Sequence, residues 1–195
     1  GVKHVLNKPG YKMFIDLEFT MPPYNYNHSG SEQFYSEIVQ YGIYIEDSNG
    51  NVLDQAEGLI KPKCKLGISD RMLEFIHVTK EKLENAPYYS KFYNQLNYFM
   101  MTYQPTIYVW GKNDYLMIDK SFKLHKVKPI TERKHYVNLM QIIKNYYGIK
   151  NDIGLYSAFE LLGAKPPMDI QDHNALHDAW ATLEVFHLFE NEINE

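Results

Sequence analysis

The chain has 195 residues, 45% of them hydrophobic, a formal net charge of −4 and a sequence pI near 6.1, enough to bury one sizeable core. An acidic balance excludes a protein that coats long nucleic acid, because that affinity comes from many Lys and Arg neutralising phosphates. The single cysteine, Cys64, excludes an internal disulfide framework, and no apolar run approaches the ~18 residues of a membrane span, so the expectation is a cytoplasmic chain with a buried thiol and no membrane contact.

Tyr11 to Phe19 reads as a buried strand, and Glu37 to Glu46 and Val52 to Ile60 as two more, joined at a Ser48-Asn49-Gly50 turn into an antiparallel meander. Between the first two, Thr20 to Ser36 is rich in Pro, Tyr, Asn, Ser and Gly and reads as a long loop or short hairpin. A loop of that length is more often functional than structural. Helical patterns follow at Arg71 to Ile76, Lys80 to Asn85 and Tyr88 to Met101, the last ending before Pro105. Thr106 to Trp110 is a short β-branched and aromatic strand broken by Gly111. Asn113 to His125 resumes helical spacing, His135 to Leu139 is the last strand, and helices cover Met140 to Tyr147, Tyr156 to Leu162 and Ala175 to Asn191. Strands followed by alternating helix and strand predict an α/β fold: a mixed sheet, antiparallel meander plus parallel strands, flanked by helices. Residues 1–10 read as an N-terminal extension and residues 11–195 as a single domain.

Asp16, Glu18, Asp114, His173 and Asp178 come from three distant segments, and acids brought together this way need a cation among them. At about 4 Å two carboxylates repel by about 4 kcal/mol even at an effective dielectric near 20. Oxygen ligands select hard cations such as Mg²⁺ or Mn²⁺. Each segment also has a plainer reading. Strand alternation puts Asp16 and Glu18 on one face with Phe14, which an edge strand could simply solvate. Asp114 opens a helix, where acids are favoured for capping and for the helix dipole. His173 and Asp178 flank the start of the last helix, which could be an ordinary solvated helix start, with Asp172 and His177 as nearby decoys. Lys120, Lys123, Lys126, Lys128, Arg133 and Lys134 form the densest basic stretch, either a solvated face or a guide for a phosphate backbone.

Together the three segments resemble the DEDDh exonucleases of the ribonuclease-H-like fold. Asp16-Leu17-Glu18-Phe19-Thr20 matches that family's D-x-E-x-T motif, Trp110-Gly111-Lys112-Asn113-Asp114 resembles its second motif, and His173 to Asp178 matches its H-x-x-x-x-D motif. The similarity runs from about Tyr11 through Leu161-Leu162-Gly163 and beyond. It is closest in pattern to small bacterial relatives of the histone-mRNA 3′-end exonuclease, from which this chain departs by its acidic balance and its Tyr- and Pro-rich insertion after Thr20.

The resemblance implies a 3′-to-5′ exonuclease that hydrolyses single-stranded ends, RNA more than DNA, to nucleoside 5′-monophosphates. It implies two Mg²⁺ or Mn²⁺ ions held by Asp16, Glu18, Asp114 and Asp178, with His173 as general base and Phe19 and Thr20 meeting the terminal nucleotide. The partner is then a single-stranded 3′ end. The rivals are an exonuclease restricted to short oligonucleotides, a catalytically idle nucleic-acid- or protein-binding module of the same fold, and a mononucleotide phosphohydrolase.

Overall fold

The computed structural model describes residues 1–195. Five strands, β1 (Lys12–Phe19), β2 (Ile38–Glu46), β3 (Val52–Leu59), β4 (Thr106–Val109) and β5 (Tyr136–Asn138), form one sheet in the order β3-β2-β1-β4-β5. The first three make an antiparallel meander, and β4 and β5 add in parallel to β1. The sequence expectation of a mixed sheet is met, and no helix is long and apolar enough to cross a membrane.

Eight α-helices surround the sheet: α1 (Val2–Leu6), α2 (Asp70–Ile76), α3 (Lys80–Glu84), α4 (Tyr89–Tyr103), α5 (Asn113–Leu124), α6 (Leu139–Tyr147), α7 (Leu155–Leu161) and α8 (Ala175–Ile193). Alternation in β1 divides the core. Met13, Ile15 and Leu17 face Phe92, Leu96 and Phe99 of α4 and Ile118 and Phe122 of α5. Phe14 points the other way, into a layer with Phe159 of α7 and Phe186 and Phe189 of α8. Asp16 and Glu18 share the Phe14 face and so look toward α8. The helix α1 was not foreseen; it is too short for a periodic signal, and fully buried Leu6, with Val2 and Val5 partly buried beside it, anchors it in the α8 layer.

Strand β4 is one residue shorter than expected because Gly111, at φ +91°, turns the chain out of the sheet after Trp110. Asn138 secures this turn, its Oδ1 accepting the Gly111 N–H at 3.1 Å and also the Gln141 N–H at 3.2 Å as the cap of α6. The β1–β4 pairing covers only Lys12 to Phe14 against Thr106 to Tyr108, whereas β1–β2 pairing runs on to Phe19. A gap therefore opens between β1 and β4 at their carboxyl ends, the position at which open α/β sheets gather ligands.

At the opposite end of the sheet His187 of α8 bonds Glu46 through Nε2 (2.7 Å) and Glu190 through Nδ1 (3.2 Å). Glu46 is 1% exposed, and the His187 ring is the side chain that bonds it. The hydrogen bond to Glu46 raises the His187 pKa above its ordinary 6.5 against the opposing effect of burial. A raised folded-state pKa gives stability that is complete below the unfolded value and lost as pH rises through the folded one. His187→Gln is expected to destabilise by about 3 kcal/mol on the acid side and much less in alkali, read as melting temperature against pH.

Candidate active site

The gap at the end of β1 receives side chains from three directions. β1 itself supplies Asp16 and Glu18. The Gly111 turn starts α5 at Asn113 and puts Asp114 in its first turn, 6% exposed. No side chain caps this helix, so Asp114 is not engaged as an N-cap. Helix α8 brings Asp178, 2% exposed, across β2.

The crossing of α8 depends on Gly42, which pairs with Asp16 in the sheet register. A Cβ on Gly42 would lie 2.3 Å from Leu176 Cα and 2.4 Å from Leu176 N, so only glycine lets the helix backbone rest on β2. Gln40, opposite Glu18, fixes the same turn: its Oε1 accepts the Ala175 N–H at 2.9 Å. Asn174 caps α8 through the His177 N–H.

His173 stands immediately before this helix with φ +54°. The segment is braced. Asp172 Oδ1 accepts the Asn174 N–H at 3.1 Å, Asp172 Oδ2 lies 2.7 Å from His177 Nδ1, and the His173 ring stacks on Phe75 of α2, centroids 4.4 Å apart. Ligand atoms of Glu18, His173 and Asp178 all fall within 4.8 Å of one another.

Asp16 and Asp114 are outside that trio but are electrically part of it. Burial holds the Asp16 carboxyl well above the usual range, and the charges of Asp114, Asp178 and Glu18 push it further. Burial, then Glu18 and Asp178, does the same to Asp114. Glu18 is pushed up to about 8 by burial, Asp178 and Asp172. Asp178 is raised by burial, with Gln171 and His173 opposing.

Two oxygens make the fit to a cation specific. Asp16 Oδ2 and Asp178 Oδ1 are buried with no hydrogen-bond partner, whereas Asp178 Oδ2 accepts from Gln171 Nε2 at 2.9 Å. Orphaned carboxylate oxygens among other acids are costly in water-poor surroundings and suit hard-cation ligation. Gln171, bonded to Asp178, and Gly42, on which α8 rests, shape this cluster and were missed by sequence reading. A lone Gln carries no spacing signal, and a Gly inside a strand signals close backbone approach only in general.

Phe19 and Thr20 are engaged in the fold itself. Phe19 is partly buried against the α4/α5 core. Thr20, 2% exposed, closes the following loop: its N–H donates to Glu37 O and its Oγ1 accepts the Glu37 N–H. Residues 20 to 36 contain no strand and dock on α2, with Tyr24 donating to Glu74 and Arg71 to Pro22 O. Arg133, from the basic stretch, packs over Tyr115 and donates to Tyr136 O. Cys64 is buried and free.

A five-stranded mixed sheet wrapped by helices, with buried acids gathered at the carboxyl end of its central strand, is the architecture of the ribonuclease-H-like exonucleases. The chain belongs to the RNase T exonuclease family, whose model matches residues 13–186. Among solved structures it resembles the nuclease domain of 3′hExo, a DEDDh family member bound to rAMP, with TM-score 0.77 and 16% identity over 94% of this chain and 93% of that one. A full-length 3′-exonuclease gives TM-score 0.77 and 16% identity over 95% of this chain but 62% of that one, so the chain spans less than two thirds of that relative. E. coli Exonuclease I in complex with a dA16 oligonucleotide gives TM-score 0.66 and 15% identity over 93% and 41%. No curated protein sequence matches the chain.

Proposed function

We propose that this nuclease is a divalent-metal-dependent 3′-to-5′ exonuclease that removes nucleoside 5′-monophosphates from single-stranded ends, RNA in preference to DNA. The observation that carries the reading is the buried acid cluster with two orphaned oxygens and a histidine at its edge. Neighbours described as 3′-exonucleases support the direction. One bound to rAMP supports RNA, and oligodeoxynucleotide complexes support DNA as a second substrate.

Asp16, Glu18, Asp114 and Asp178 would hold a pair of Mg²⁺ or Mn²⁺ ions. When bound, such a pair stabilises charge on both the entering and the leaving oxygen of an in-line displacement. His173, held by Phe75 and the Asp172 turn, takes the proton of the attacking water at a ring nitrogen, a contribution of about 10²- to 10⁴-fold. Gln171 orients Asp178 by occupying the oxygen that faces away from the trio's orphan. A cavity of about 530 Å³ beside the site, lined in part by Gln40, Ile76, His77, Lys82, Asp172 and Asn174, is large enough for a terminal nucleotide. Phe19 and Thr20, at the end of β1, would meet that nucleotide from the strand side. The catalytic unit is residues 11–195, with 1–10 as an extension packed through Leu6. A buried free thiol accords with a reducing compartment such as the cytoplasm.

The test is one gel of end-labelled single-stranded RNA and DNA with Mg²⁺, Mn²⁺ or EDTA, wild type beside His173→Ala. Stepwise shortening from the 3′ end, suppressed by EDTA and by the substitution, is expected. Internal cuts would overturn the reading. Cleavage of a dinucleotide but no longer strand would select the oligonucleotide-restricted form, and binding without any cleavage the idle module.

A further inference from the structure

Beside the acid cluster, at the same end of the sheet, lies a surface of opposite character. In Lys61-Pro62-Lys63-Cys64-Lys65 burial alternates, with Pro62 and Cys64 turned inward and Lys63 and Lys65 exposed, so the lysines project together. The carboxylate of Glu37, 4% exposed, sets this shape by accepting the Lys63 and Cys64 N–H groups at 2.9 and 2.8 Å. The segment abuts the motif strand directly: a Cβ on Gly67 would meet Thr20 Cγ2 at 3.0 Å and Pro62 Cβ at 3.3 Å. Thr20 is two residues beyond Glu18. Lys61 sits over the ring of Tyr88, 5.8 Å from its centroid, and Tyr88 is 71% exposed.

Next to these lysines is a cavity of about 220 Å³ whose lining includes Tyr35, Glu37, Tyr89, Lys120 and His125. Half-buried His125 stacks face to face on Tyr89, which is only 5% exposed, centroids 3.7 Å apart and planes 4° from parallel, giving the cavity a flat aromatic wall. Glu37 lines this cavity and holds the Lys63 N–H, so Lys63 stands at its rim, and burial followed by the Lys63 charge lowers the His125 pKa to about 4. Lys120 is exposed on α5, less than two turns from Asp114. The acids facing this surface are Glu37, spent on backbone donors, and Asp119, whose charge is met by Lys123. On a chain of net charge −4, a local excess of lysine interleaved with flat aromatic surface is the combination that tracks single-stranded nucleic acid.

We propose that Lys61, Lys63, Lys65 and Lys120 hold the phosphates of the strand upstream of its terminal nucleotide, and that the cavity beside Tyr35, Tyr89 and His125 receives one upstream base. The inference rests on the exonuclease reading for its direction, but its test is a binding measurement that needs no catalysis. Fluorescence anisotropy of a labelled single-stranded dodecamer in EDTA compares wild type with Lys63→Glu/Lys65→Glu, with Tyr35→Ala, and with Lys150→Glu/Lys165→Glu as a control of equal charge change away from the tract. The lysine variant is expected to weaken binding at least about tenfold and to lower the slope of log affinity against log salt by about 1.4, as for two lost phosphate contacts. Tyr35→Ala is expected to cost about tenfold with little change in that slope. With Mg²⁺, dinucleotide cleavage should be unchanged in both variants while the KM for the dodecamer rises. Equal binding by the tract and control variants overturns the inference even if the enzyme is active. A binding defect specific to the tract in a protein that cleaves nothing would sustain it while the exonuclease reading falls.

Discussion

Asp16→Asn is expected to lower hydrolysis by about 10³-fold or more while raising the melting temperature of the metal-free protein. The first half follows from removing one charge from a set that needs several; about 4 kcal/mol of lost transition-state stabilisation is about 10³-fold in rate. The second half follows from the same crowding. Without a cation, Asp16 is a buried acid with one orphaned oxygen that feels three other carboxylates, and an amide relieves both the charge and part of the desolvation, about 1–3 kcal/mol. A structural aspartate would behave in the opposite way, so a variant less stable than wild type in EDTA would count against a cation site.

The same cluster sets a pH dependence. In the metal-free fold Glu18 titrates near 8 rather than at its ordinary 4.5, so between these values the folded protein retains a proton that the unfolded chain has released. Folding then binds protons, and metal-free stability falls as pH rises through that window. Cation binding needs the carboxylates ionised, so Mn²⁺ should oppose the fall increasingly toward alkali. Melting temperatures in EDTA and in Mn²⁺ across that window should diverge with pH; parallel curves would mean that the acids are not the ligands.

Gly42→Ala is expected to be the most disruptive single-methyl change in the chain. The added Cβ would meet only helix backbone, Leu176 Cα at 2.3 Å and Ala175 C at 2.5 Å, and no rotamer change relieves that. Either α8 lifts or the fold loosens, at about 3 kcal/mol. Because Asp178 and His173 ride on that helix start, a displacement of even 1 Å would lower kcat by about 10²-fold. Gly154→Ala is the control, since its Cβ would make only an ordinary contact with Ser157 Oγ at 3.6 Å. Wild-type melting and turnover in Gly42→Ala would show that α8 is not held where the geometry puts it.

Much of the sheet was legible in the sequence because β1 and β2 are dense in apolar residues and the Ser48-Asn49-Gly50 turn between β2 and β3 is explicit. Strand β4 was read one residue too long because Trp110 looks like strand and only the φ of Gly111 ends it. The acids of the site were legible as residues, but as an arrangement only through the resemblance carried by the three motifs. Nothing local in Asp114 distinguishes a capping role from its place in the gap, which depends on where β4 stops pairing with β1. Gly42, Gln40 and Gln171 act through partners more than 130 residues away or through a single hydrogen bond, and neither leaves a periodic trace.

Position 173 shows how the main chain narrows chemistry. At φ +54° the left-handed conformation is comfortable for glycine and tolerated by Asn, Asp and His, while branched or bulkier residues are strained there. Of that shortlist only histidine offers a nitrogen that exchanges a proton near neutrality. The bend before α8 thus restricts the alphabet at this point, and any replacement will alter backbone comfort as well as remove an imidazole.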